Sequence, residues 1–267
     1  MTMHVDQDWW KELFDEVYLQ TDARSVCNDR LTGQEVNFLE EVLNFRKSSP
    51  VLDLCGGQGR HALELSRRGF SRVTLLDYSG CLVSLGKRKA VEEGLNTIFV
   101  RADARNTGLS DQAFSVILIL GSSFGYFEDE TENQKILDEA FRLLSNGGQL
   151  FLDLPDRDFV LEKFKPVVRH SVDDDIEVTR TRSHQGDIIY CRETVSSRTR
   201  GCIRDRTYCT RLYSPESISI RLTTAGFTNV LFKKDFMCRE SEGDFGTMTS
   251  RMIAVSYTHL RAHETND

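Results

Sequence analysis

The sequence predicts an α/β fold built on a doubly wound, mostly parallel sheet, with an antiparallel β lid inserted after the fifth strand. Three observations carry this. Val51-Leu-Asp-Leu-Cys-Gly-Gly-Gln-Gly-Arg60 reads as a strand, a tight glycine turn and a helix start. Apolar strand-like runs then alternate with helix-periodic segments up to Leu154, the pattern of parallel strands joined by right-handed crossovers. Between residues 167 and 213 the pattern changes to strand-like alternation broken by turn residues.

Each element follows in order. Trp9-Trp10-Lys-Glu-Leu-Phe-Asp-Glu-Val-Tyr18 carries apolar residues at 10, 14 and 17–18, a helical stripe. In the glycine turn, Gly56, Gly57 and Gly59 let the backbone approach a ligand, and the helix start offers free N–H groups, so a nucleotide-like cofactor fits there. Val73-Thr-Leu-Leu-Asp77 is a second strand ending in an acid, placed to take both ribose hydroxyls of a nucleoside. Thr97–Asp103 is a third strand that also ends in an acid, and Phe114–Leu120 is an apolar fourth, as expected for a strand covered on both faces. Gly148–Leu154 is the fifth. Helices are predicted over roughly 58–69, 80–93 and 130–145, with Gly69, Gly94 and Gly147 at their ends. His61 opens the first of these helices and is expected to face solvent, and Glu128-Asp129-Glu130 forms the acidic first turn of the third.

After Pro155 a short helix spans about 156–164. Three antiparallel strands follow at Ile176–His184, Asp187–Val195 and Cys202–Leu212, the first turn being Gln185-Gly186. Ser214-Pro215 begins a further helix, as cap and first residue. Ser250–Ser256 fits a final edge strand, with Asp235 and Glu240–Asp244 in the hairpin before it. Tyr257-Thr-His-Leu-Arg-Ala-His-Glu-Thr265 reads as translated sequencing-adapter sequence, so 256–267 is expected to be a non-native tail and His259 and His263 are not expected to be ligands.

Composition narrows the function class. The chain has 267 residues, a formal net charge of −7 and a pI near 5.5, which speaks against general nucleic-acid binding. It lacks an apolar run of about 18 residues and an apolar N-terminal stretch, so no membrane span or signal peptide is expected. Its cysteines, at 27, 55, 81, 191, 202, 209 and 238, are scattered and show neither C-x-x-C nor zinc spacing. Reduced thiols, a cytoplasmic location, no metal and a monomer or homodimer are expected.

With these residues in place the chain resembles the class I S-adenosylmethionine-dependent methyltransferases of small-molecule type, over roughly residues 36–255. The resemblance rests on Val51–Gly59, Asp77, Ala102-Asp103-Ala104, Leu120–Tyr126 and Leu143-Leu-Ser-Asn-Gly-Gly148. It implies a Rossmann-like seven-stranded sheet and S-adenosylmethionine as cofactor, with S-adenosylhomocysteine as product. It also implies a cofactor site made by Asp53, Cys55, Gly56, Gly57, Gly59, Asp77, Tyr78, Asp103, Ala104, Leu120 and Gly121. Asp77 would take the ribose and Asp103 the adenine amino group. One departure is Cys55, which stands where the family usually has the first glycine. A nicotinamide dehydrogenase is the rival, but its glycines are spaced G-x-G-x-x-G.

The implied organisation is 1–35 as N-terminal cap helices, 36–166 as methyltransferase core, 167–213 as antiparallel β lid and 214–255 as the C-terminal part of the core. Methyl transfer is a positioning reaction, so no single catalytic residue is required; Ser123, Tyr126 and His184 are the candidates. Substrate-binding candidates are Trp10, Tyr18, Ser122, Phe124, Arg180 and Arg182. Aromatic walls suit a sulfonium and a cationic amine, each contact contributing roughly 0.5–2 kcal/mol. The lid carries Arg180, Arg182, Arg192, Arg198, Arg200, Arg204, Arg206 and Arg211, and a guanidinium there would bind an acceptor carboxylate or phosphate bidentately. Gly121-Ser-Ser-Phe resembles the stretch seen in small-molecule methyltransferases and not the Asn/Asp-Pro-Pro-Tyr of amide or exocyclic-base methylation. The expected activity is methyl transfer to a small-molecule amine nitrogen. Alternatives are an O-methyltransferase, an RNA or protein methyltransferase, and a cofactor-binding protein without turnover.

Overall fold

The computed structural model describes residues 3–43, 45–233 and 248–258. Short N-terminal helices α1 (Trp10–Leu13), α2 (Glu16–Thr21) and α3 (Ala23–Val26) lead into α4 (Asp29–Val42). The core then alternates: β1 (Val51–Leu54), α5 (Arg60–Arg67), β2 (Val73–Asp77), α6 (Gly80–Glu92), β3 (Ile98–Arg101), β4 (Phe114–Ile119), α7 (Glu130–Leu143), β5 (Leu144–Pro155) and α8 (Arg157–Glu162). Four strands follow, β6 (Val167–Ser171), β7 (Ile176–Gln185), β8 (Ile188–Ser197) and β9 (Gly201–Arg211). The described chain closes with α9 (Pro215–Ala225), β10 (Thr228–Lys233) and β11 (Arg251–Tyr257).

Seven strands form one sheet in the order β10-β11-β5-β4-β1-β2-β3. β1 pairs in parallel with β2 and β4, and β4 with β5, while β11 runs antiparallel to both of its neighbours. Central strands need two covered faces, and β1 is buried at every position. On one face Leu52, Leu54, Ile117 and Ile119 pack with Leu137 and Leu222 of α7 and α9; on the other Val51, Leu75 and Leu118 pack with Val36 and Leu39 of α4. Side-chain alternation therefore sends Asp53 to the second face. Local signals place the helices. Asp129 caps α7 by accepting the Thr131 N–H, with Glu130 and Glu132 in its positive first turn, and Ser214 caps α9 in a capping box ahead of Pro215.

Four expectations need correcting. Gly147 does not stop a helix; α7 ends at Leu143 and the chain enters β5 directly, with Gly147 at φ 73° inside it beside a register shift against β4. The C-terminal strand is interior, lying between β5 and β10, and β10 is the edge. The sheet also uses more of the C-terminus than expected: Ser256 and Tyr257 pair with Leu150 and Gln149, and the Thr258 N–H bonds the Gly148 carbonyl. The lid has four strands, because β6, too short to stand out in sequence, pairs antiparallel with β7. Asp235, Cys238, Glu240–Asp244, His259 and His263 lie outside the described residues. Among the described residues no helix is long and apolar enough to cross a membrane.

Candidate functional site

The site lies where the parallel strands end, at the carboxyl edge of the sheet, as expected for an open α/β fold. Beyond β1 the chain turns through Cys55 at φ 61°, Gly57 at 60° and Gly59 at 80°, and Gly59 starts α5. Close approach explains the glycines: a Cβ on Gly56 would sit 2.7 Å from the Asp53 carboxyl, and one on Gly59 2.7 Å from a Leu75 methyl. Cys55 fills a left-handed position with a side chain, which is the departure seen in sequence.

Three carboxylates surround this turn. Asp53 is fully buried, and among the described residues neither of its side-chain oxygens makes a hydrogen bond of ordinary geometry. Burial pushes it up to about 7, against the pull of the nearby Arg60 charge. Asp77, at the end of β2, accepts the Gly57 N–H at 2.8 Å and the Ser79 N–H at 2.8 Å. Burial raises it above the usual carboxylate range, opposed by those bonds. Asp103 follows β3 and is held by the Arg105 guanidinium, Nη2 to Oδ2 at 2.6 Å; burial opposes ionisation, but Arg105 keeps the carboxyl below its ordinary value. Arg105 lies under the Trp10 and Phe127 rings, at 5.0 and 4.6 Å.

Three adjoining clefts open here. The first, about 810 Å³, is lined by Asp53, Cys55, Gly56, Gly57, Leu120 and Gly121 among others. The third, about 520 Å³, is lined by Asp77, Tyr78, Asp103, Ala104, Trp10 and Phe127. The second, about 800 Å³, lies under the lid and is lined by Tyr18, Ser122, Tyr126, Arg180, Arg182 and Tyr208. Phe14, Tyr18, Gly121, Tyr126 and Met248 border both the first and the second.

A nucleoside cofactor with an amino-acid arm fits the first and third clefts on observations of the protein itself. The orphaned Asp53 carboxylate suits an ammonium, the bare glycine turn would be filled by any Cβ, and Asp77 retains acceptor capacity for a ribose. Phe127, Trp10 and Ala104 give the third cleft the apolar walls an aromatic base needs.

A buried chain of charges supports this edge. Glu35 of α4 bonds Arg60, His61 Nε2 at 2.8 Å and Arg251 Nη1 at 2.8 Å. Arg251 pairs with Asp153 of β5, and Asp153 Oδ2 accepts the Gly121 N–H at 2.7 Å. His61 is thus buried, not solvent-facing; burial and the Arg60 charge lower it to about 4 although Glu35 pulls it up.

The lid docks on the N-terminal helices through charge. Arg180 Nη2 reaches Asp22 and Nε reaches Glu193 of β8, both at 2.8 Å, and Arg204 of β9 pairs with Asp15 and Glu193. Arg180 is 4 % exposed, so the residue expected to clamp an acceptor instead binds the lid to α2 and α3. Arg192, Arg198, Arg200 and Arg206 are exposed, and Arg182 lines the second cleft.

The remaining candidates divide. Tyr18, Ser122, Ser123 and Tyr126 line the clefts. Trp10 serves the third cleft and not the acceptor side, its ring 4.6 Å edge-on from Tyr78. Phe124 is 0 % exposed and packs on Tyr213 in the core. His184 is exposed against Phe164 and lines none of the three clefts. Glu35, Asp153, Arg251 and Met248 escaped the sequence reading. Asp153 alone left a signal there, as an acid inside an apolar strand.

A family model described as a methyltransferase domain matches residues 51–148, from the first strand to the start of the fifth. Among curated proteins the chain is similar to the ubiquinone/menaquinone biosynthesis C-methyltransferase UbiE of Zymomonas mobilis, 28% identical over 149 residues, or 55% of this chain and 58% of that one. The chain thus spans little more than half the length of that relative. Among solved structures it is similar to the CcbJ methyltransferase of Streptomyces caelestis, with a TM-score of 0.73 at 18% identity over 94% of this chain and 98% of that one. It is also similar to an S-adenosylmethionine-bound amino pentose methyltransferase of Micromonospora echinaspora, TM-score 0.67 at 17% identity, covering 93% and 99%. At these identities the shared feature is the fold, a mixed seven-stranded sheet with a Rossmann-like core.

Proposed function

We propose that this chain, which carries the methyltransferase domain and the fold of the class I S-adenosylmethionine-dependent methyltransferases, moves the methyl group of that cofactor to a small-molecule acceptor, at an amine nitrogen. The observation that supports it is the shared wall: Tyr18, Gly121 and Tyr126 border both the glycine-turn cleft and the cleft under the lid. When bound there, S-adenosylmethionine would supply an activated methyl to the neutral amine, with S-adenosylhomocysteine and one proton released, and the glycine turn, Asp53 and Asp77 would hold it against the acceptor cleft.

The chain's own residues position and exclude. Asp77 would hold the ribose and Asp53 the ammonium of the cofactor. Phe14 and Tyr126 close the junction to water. The second cleft favours an acceptor that needs no base. Its carboxylates, Asp22 and Glu193, are engaged by Arg180, and burial raises the Tyr126 and Tyr208 hydroxyls well above their ordinary range. A neutral amine needs only alignment, whereas a hydroxyl or carbon acceptor calls for a group to take its proton. The amino pentose acceptor named for one structural neighbour is of the kind this reading favours. The net charge of −7 weighs against a polynucleotide acceptor.

The test uses methyl-labelled S-adenosylmethionine, the purified protein and a cell extract, followed by acid precipitation. Label in the soluble fraction supports the reading. Label only in the precipitate would transfer it to RNA or protein, and no label beside intact binding of S-adenosylhomocysteine would leave a binder without turnover.

A further inference from the structure

We infer that the Ser122 hydroxyl binds the methyl acceptor directly, accepting a hydrogen bond from the N–H of the amine that attacks the methyl group. The inference rests on the small-molecule reading above and adds to it the chemistry of the acceptor: a primary or secondary amine.

The chain leaves β4 through two successive left-handed residues, Gly121 at φ 67° and Ser122 at φ 62°. Glycine takes this conformation freely and serine does not. The turn is held in place from behind, because Asp153, itself paired with Arg251, accepts the Gly121 N–H. Strain of this kind persists where the surroundings impose it, and it is concentrated at sites that bind or react.

The hydroxyl carries the second observation. Ser122 is 6 % exposed and lines the second cleft, and its Oγ has no hydrogen-bond partner among the described residues. A buried polar atom left unpaired is costly, and such atoms mark places where a ligand completes the bonding. The neighbouring serine is different, since Ser123 Oγ donates to the Leu120 carbonyl at 2.7 Å. Two adjacent serines thus separate into one that stabilises the turn and one whose hydroxyl is left for a bound molecule.

Position supplies the chemistry. Gly121 borders both clefts, so Ser122 stands one residue from the wall the methyl must cross, with Tyr18 and Tyr126 beside it. An attacking amine has to aim its lone pair at the methyl carbon and place its N–H elsewhere. Ser122 borders that cleft, and its hydroxyl oxygen is the atom assigned here to accept that hydrogen and fix the direction of the lone pair. A tertiary amine has no N–H to offer and would leave the hydroxyl unsatisfied, so transfer should stop at the tertiary product.

Wild-type protein, Ser122→Ala and Ser122→Gly are compared with labelled cofactor and a deproteinised extract at graded dilution. Alanine removes the hydroxyl and keeps the strained backbone; glycine removes both. The expected result is S-adenosylhomocysteine affinity within about twofold of wild type in both variants, a thermal midpoint for Ser122→Gly at or above wild type, and half-maximal soluble labelling at about tenfold more extract in both, the loss of one hydrogen bond. Labelling curves that superimpose on wild type in both variants would overturn the role of Ser122 and leave small-molecule transfer standing. A wild-type protein that labels nothing in the soluble fraction would remove that reading and this inference with it.

Discussion

The rings of Phe14 and Tyr126 stack at 5.5 Å, 19° from parallel, where the three clefts meet. One ring comes from the N-terminal helices and the other from the loop after β4. Neither ring closes the junction alone, so the N-terminal segment contributes to the walls of all three clefts. Replacing Phe14 by Ala removes half of the pair and opens the junction to water. The expected result is transfer lowered at least tenfold, with some methyl lost to water as methanol, measured as S-adenosylhomocysteine formed without methylated acceptor.

Asp77 should govern cofactor affinity. It already orders Gly57 and Ser79, and its remaining lone pairs are the ones assigned to the ribose. Asp77→Ala is expected to weaken S-adenosylhomocysteine binding by roughly 1.5–3 kcal/mol, the loss of charge-assisted bonds, read by calorimetry. An unchanged dissociation constant would take Asp77 out of the site.

Cofactor binding should depend on pH through Asp53. Burial pushes its carboxyl up to about 7, and an ammonium selects the ionised form. Affinity for S-adenosylhomocysteine should therefore rise by about eightfold from pH 6 to 7.5 with uptake of ligand releasing a proton. Asp53→Asn should bind more weakly at pH 7.5 and show a flat profile over that range.

Stability should fall in acid through His61. Its folded value of about 4 lies below the ordinary 6.5, so the unfolded chain binds the proton first. The stability that neutral His61 contributes is complete above pH 6.5 and is lost as pH falls through 4. Between pH 7 and 5 the loss should be about 2 kcal/mol by denaturant titration. His61→Gln, which still donates to Glu35 but does not titrate, should lose markedly less over the same range.

Cys55 tests the one departure in the glycine turn. Its φ of 61° suits glycine and excludes branched side chains. Cys55→Gly should be close to neutral, relief of strain offsetting the added freedom of the unfolded chain. Cys55→Val should cost about 2 kcal/mol, measured as denaturation midpoint, and should weaken cofactor binding with it.

Much of this was legible in the sequence because it is local. The glycine turn, the acids ending strands two and three, the acidic start of the helix near Asp129, the cap at Ser214 and the change of period at the lid each depend on residues within a few positions of one another. What stayed hidden depends on contacts across long separations. His61 reads as an exposed helix start until Glu35 and Arg251, distant in the chain, are found packed on it. Arg180 reads as a substrate clamp until Asp22 and Glu193 are seen to occupy it. Phe124 and Ser122 share one loop, and alternation could not say which faced the core. The left-handed turn at Gly121 and Ser122 decides that, and serine gives no warning of a positive φ.

The central claim is transfer to nitrogen of a small molecule. The most direct measurement supplies S-adenosylmethionine carrying a ¹³C methyl to the enzyme with a deproteinised extract from cells grown on ¹⁵N, and records the nuclear magnetic resonance spectrum of the soluble product. A product methyl carbon showing one-bond coupling to ¹⁵N is the predicted result. A labelled methyl without that coupling, bonded to oxygen or carbon, would contradict the account.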